Sequence, residues 1–173
     1  REYFYEPWGM KHTAVDWTPE VGAKMSWGYD MEGRVRKIRN YHDDEGYGPE
    51  PNAAWSLYST TEDYAQFICR VIGEHCGLSD ACFETMTAPH NHADYGISWG
   101  LGFGLVDREP NVCWHWGDNG GFKNFCIWDK KTGDGAVVFT NCDRGMDLYM
   151  DLLKELTDGS FYDDIRSFIE QAE

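Results

Sequence analysis

His115 stands between two tryptophans, Trp114 and Trp116, and just ahead of Gly117-Asp118-Asn119-Gly120-Gly121. A strand sends alternate side chains to opposite faces, so His115 and the two tryptophans point apart. One face then belongs to a core, and the other is free to line a pocket. Imidazole titrates closest to neutral pH, so it can carry a proton or polarise a bound group. On spacing alone, a structural histidine between strands is the readier account. His90-x-His92-x-Asp94 carries donor types that zinc takes. Zinc needs three or four ligands. Tyr95 occupies the next alternate site, and no later histidine cluster completes the set. The stretch reads as a polar loop, and no metal or cofactor is expected. A metal-dependent hydrolase built on His90 and His92 is the weakest of the functional readings.

The elements that must position His115 follow from pattern and punctuation. Ser59-Thr60-Thr61-Glu62 is a capping box with Ser59 as N-cap. Behind it Tyr64, Phe67, Ile68, Val71 and Ile72 recur at helical spacing, so 60–75 is an amphipathic helix closed by Gly77. Ser79 caps a shorter helix that ends before Pro89. Residues 98–106 alternate large apolar with small and read as one strand, with Trp99, Leu101 and Phe103 toward a core. Strands at 113–116, 124–129 and 136–141 follow. Lys131-Thr132-Gly133-Asp134-Gly135 is the turn between the last two, because glycine supplies the positive φ a tight hairpin needs. Helices at 146–156 and 161–169 close the chain. Residues 1–51 read as irregular, with an exposed loop at 42–51. The result is one α+β domain: 52–92 helical, 93–145 an antiparallel meander of three or four strands, 146–173 helical.

The chain has 173 residues, 42% of them hydrophobic and 16% aromatic, with eight Trp. That is enough apolar material for a core, so this is no disordered tail. Thirty acids against 15 bases give a net charge of −15, a field that repels phosphate backbones and argues against a nucleic-acid partner. Mean hydropathy is −0.60, and no apolar run is long enough to span a membrane. Cysteines at 69, 76, 82, 113, 126 and 142 form no C-x-x-C, so free thiols are the expectation. The first ten residues lack the basic and apolar regions of a signal peptide, and the compartment stays open.

Four segments, in order, resemble the β-lactamase and penicillin-binding-protein family of serine hydrolases. They are Glu6-Pro7-Trp8-Gly9-Met10-Lys11-His12-Thr13, Asn52–Asp63 with its Ser59-Thr60 helix start, Tyr95-Gly96-Ile97-Ser98-Trp99-Gly100, and His115-Trp116-Gly117-Asp118-Asn119-Gly120-Gly121-Phe122. The strand ending Val137-Val138-Phe139-Thr140-Asn141 is similar to the one that follows in the family. The resemblance implies acyl transfer by a serine, with a lysine three residues on and a tyrosine moving protons. It implies that His115-Trp116-Gly117 takes the place of the third motif, K-T-G or H-x-G. His115 would be the catalytic polar group. Trp116, Gly117 and Asp118 would bind substrate, with the Asp118 N–H facing the oxyanion.

No lysine here has a serine three residues upstream, and no tyrosine or serine has an asparagine two residues on. In the resembled family both motifs precede the Pro7-Trp8-Gly9-Met10 segment. The expectation is a C-terminal portion whose nucleophile lies in a missing N-terminal part, inactive alone. Substrates would be small-molecule or peptide esters, amides or β-lactams, and H-x-G mildly favours an esterase or peptidase. The alternative is a non-catalytic module that binds a ligand or partner through the same pocket. A sheet without its N-terminal strands exposes an edge, so pairing with the missing half or a second copy is also expected.

Overall fold

The computed structural model describes residues 2–36, 51–157 and 161–172. All but Pro51 of the loop expected at 42–51 lies outside them.

Helix α1 spans Pro19–Lys24, in a region the pattern left irregular. Thr18 caps it by accepting from Val21 N, and Pro19 stands in its first turn, where no N–H is missed. Helix α2, Thr61–Glu74, buries Ile68 and Val71 on one stripe. Its N-cap is Thr60, one residue later than expected, because the Ser59 hydroxyl is engaged by Thr13 Oγ1 at 2.8 Å. Helix α3, Asp80–Met86, starts at Ser79, whose hydroxyl accepts from Cys82 N.

Six strands form one antiparallel sheet in chain order. They are β1 Asn91–His92, β2 Ile97–Trp99, β3 Gly104–Val106, β4 Glu109–Asp118, β5 Lys123–Asp129 and β6 Gly135–Thr140. The meander is as expected, with two more strands. One addition is β1, within the stretch read as a polar loop. The other comes from 98–106, which is a hairpin and not a single strand. The chain turns back at Gly100, whose N–H bonds to Phe103 O at 2.9 Å, with Gly102 at φ +100. Small residues alternating with large ones satisfy either shape. The carbonyl of Met86 leaves no room for a side chain at Gly100, and that packing decides it. Leu101 consequently sits at the hairpin tip, 57% exposed, and not in the core.

Helices cover both faces of the sheet. Val112, Trp114, Phe125 and Ile127 pack against α4 (Gly145–Leu156) and α5 (Tyr162–Ala172) through Tyr149, Leu153, Ile165 and Ile169. On the other face Leu105, Cys113, Cys126 and Trp128 meet Ile68, Val71 and Phe83. Each fully buried aliphatic side chain there contributes about 1.5–3 kcal/mol. The indole of Trp114 lies over Gly104, where a Cβ would come within 2.6 Å of it. At the far side, β6 pairs with β5 along one edge and with no other strand among the described residues.

Candidate active site

Strand β4 is longer than the strand beside it. Its pairing with β3 ends at Gly104↔Trp114, whereas its pairing with β5 runs on to Asp118↔Lys123. Residues 115–118 therefore have a strand on one side only, among the described residues. The four expected site residues are these same four.

His115 and Gly117 share the α2 face with Cys113, opposite Trp114 and Trp116, as alternation requires. His115 is half-buried. Its Nδ1 stands 2.7 Å from the Trp116 carbonyl oxygen, and Trp99 meets the imidazole edge to face at 5.6 Å. Burial holds the imidazole below its ordinary pKa, outweighing the Trp116 carbonyl, which pulls the other way. Across the ladder, burial pushes the Cys126 thiol up to about 12, so it stays protonated. Trp116 turns toward α5, 5.7 Å from Phe168, and walls the strand from behind.

A Cβ at Gly117 would meet nothing within 4 Å, and its φ is not left-handed. Neither packing nor backbone conformation demands glycine there. The space beside it is empty, and glycine in a strand costs roughly 0.5–1 kcal/mol against alanine. Asp118 is exposed at the strand's end. Its carboxylate accepts from Gly120 N at 3.2 Å and lies 3.2 Å from Lys123 Nζ. The β4–β5 turn is clamped from a distance. Asp143 accepts from Gly121 N at 2.5 Å, and Arg36 bonds Asp143 at 2.9 and 3.0 Å. Gly120 and Gly121 have φ of +52 and +82, which the turn requires.

Sequence reasoning missed the Arg36–Asp143 clamp, which joins residues 107 apart with no local signal. Missed too was the contact between Trp99 and His115: the ring expected in the core packs on Trp114, Trp116 and Phe168 at 5.9 to 6.1 Å and meets the imidazole as well. Lys131-Thr132-Gly133 forms the β5–β6 turn, where Asp129 Oδ1 accepts from Lys131 N at 2.6 Å and Thr132 N at 2.9 Å. His90 and His92 have separate partners: His90 Nε2 bonds Thr85 O at 2.7 Å, and His92 Nδ1 meets Ser98 Oγ at 2.8 Å. Ser98 also donates to Asp107. This trio has the residue types of a hydrolytic triad but not its order. The hydroxyl lies between imidazole and carboxylate and gives its proton to the carboxylate, whereas a triad needs the imidazole in the middle. Ser98 is fully buried besides. Among the described residues no three His, Cys, Asp or Glu side chains gather for a metal, and no helix is long and apolar enough to cross a membrane.

The fold is shared with solved structures. An octameric penicillin-binding protein homologue from Pyrococcus abyssi superposes with a TM-score of 0.69 at 20% identity, over 94% of this chain and 37% of that one. A penicillin-binding protein from Bacillus halodurans gives 0.67 at 17%, over 90% of this chain and 48% of its own. A class C β-lactamase gives 0.62 at 14%, over 96% and 51% respectively. The chain thus spans about a third to a half of each. No curated protein sequence matches it significantly. The sequence pattern described as Beta-lactamase matches residues 1–157, and the chain belongs to the β-lactamase family.

Proposed function

We propose that this chain is the lobe of an acyl-transfer serine hydrolase that carries the third motif, His115-Trp116-Gly117, and that it takes esters, amides or β-lactams at the open edge of β4. The observation that supports this most is the empty space beside Gly117 on a strand whose outer edge has no partner among the described residues. An extended acyl group can lie along such an edge and bond its backbone groups. His115 would contact the substrate, Trp116 would stiffen the strand, and the Asp118 N–H would face the developing oxyanion.

No lysine in this sequence has a serine three residues upstream, and in this reading the nucleophilic serine and its lysine would come from elsewhere in the active protein. The chain alone should then turn over neither a p-nitrophenyl ester nor a chromogenic β-lactam. His115→Ala serves as the control. Turnover by the purified chain that disappears in His115→Ala would show a nucleophile or metal within it, and the reading would fall.

A further inference from the structure

The His115 ring has one nitrogen committed. Nδ1 lies 2.7 Å from the Trp116 carbonyl oxygen. A carbonyl only accepts, so Nδ1 carries the hydrogen. A neutral imidazole then holds a bare lone pair on Nε2. Among the described residues Nε2 has no hydrogen-bond partner.

The surroundings favour the neutral ring. Burial pulls its pKa down. Cys126 across the ladder is a protonated thiol, and Tyr64, which reaches that thiol, has its phenol pushed up by burial. Trp99 meets the imidazole as an uncharged ring, at 5.6 Å and a steep interplanar angle of 78°. The charged groups beyond, Asp118 and Lys123, lie within 3.2 Å of each other. Among the described residues no carboxylate bonds the imidazole to hold a proton on it.

Resting on the acyl-transfer reading, we propose that His115 presents the bare Nε2 of a neutral imidazole at the open edge of β4. The edge therefore takes acyl compounds with a hydrogen-bond donor at that position, an amide N–H or a hydroxyl, in preference to those with a carboxylate. A lysine in the same place would select the reverse, since an ammonium has three donors and no acceptor. The chain's net charge of −15 further disfavours a carboxylate.

The test uses the purified chain. Nitrogen-resolved NMR of the histidine rings reads the tautomer, and backbone amides of Gly117 and Asp118 report binding. Two matched probes are titrated: an N-acetyl amino acid primary amide and the same compound as free carboxylate. We expect the Nδ1–H neutral form at neutral pH. We expect the amide to bind about 3- to 10-fold more tightly than the carboxylate, the worth of one net hydrogen bond. His115→Lys should invert that order. An imidazolium at neutral pH, an Nε2–H tautomer, or a carboxylate that binds as well as the amide would each overturn the inference while leaving the acyl site intact. If neither probe moves Gly117 or Asp118, the acyl-site reading itself fails, and the inference falls with it.

Discussion

Thr13 donates from Oγ1 to Asp63 Oδ2 at 2.9 Å, joining residues 50 apart in the chain. The same carboxylate oxygen accepts from His12 N at 2.6 Å, and Asp63 is only 4% exposed. Asp63 stands in the first turn of α2, where the helix dipole also favours its charge. One side chain thus fixes both the helix start and the segment around Met10, which is 5% exposed. Asp63→Ala should cost about 1.5–3 kcal/mol, the usual worth of a hydrogen bond to a charged group. Denaturant unfolding measures it, and hydrogen exchange at the His12 amide should quicken. An unchanged midpoint with an equally protected His12 would refute the role.

Gly104→Ala should destabilise the chain by about 1–3 kcal/mol, as overpacking does. The new methyl would meet the Trp114 ring at 2.6 Å, and that ring is wholly buried between β3 and α5. Tryptophan fluorescence should shift in the folded variant as the indole moves. Full stability with an unshifted spectrum would mean that Trp114 is not held as described.

Gly117→Ala should do the opposite. The methyl enters empty space, so thermal unfolding should be unchanged or improved by roughly 0.5–1 kcal/mol. Ligand binding at the β4 edge should be lost. A variant that unfolds earlier would show a packing reason for this glycine and remove the support it lends to a site.

His115 sets a pH dependence whose sign follows from its lowered pKa. The unfolded chain takes up this proton near the ordinary value of 6.5, but the folded chain waits for a lower pH. On acidification below 6.5, protonation favours the unfolded chain, and stability falls until the folded pKa is passed. Well above 6.5 the ring is neutral in both states and adds no slope. Melting temperatures of the parent and of His115→Gln, from about pH 8 to about pH 5, should therefore diverge only on the acid side, with the parent losing more. Parallel profiles would show that burial does not depress this histidine.

The parts legible in the sequence were those written locally. The Ile68 and Val71 stripe, the Ser79 cap, and the glycines of the two turns around β5 each specify a conformation within a few residues. The Thr18-Pro19-Glu20 helix start was equally local, but it lay in a region that composition had marked as irregular. The 98–106 hairpin was ambiguous because its glycines fit a strand's small positions as well as a turn. Long-range ties were not legible at all. Nothing in the spacing announces that Arg36 reaches Asp143, or that Trp99, packed on Trp114, also meets His115. The position of His115 could be read from its neighbours. Its tautomer could not, because that depends on where a carbonyl points.

The two margins of the sheet end differently. On one side the strands shorten from ten residues in β4 to three in β3 and β2 and two in β1, so the sheet tapers to a close. On the other, among the described residues, it stops at β6, six residues long and free of charge and proline. A taper leaves few backbone groups to pair, whereas an edge of six residues leaves a full row of them. A strand added there would be met by backbone groups first. Such an edge would discriminate by length and strand propensity more than by the identity of side chains.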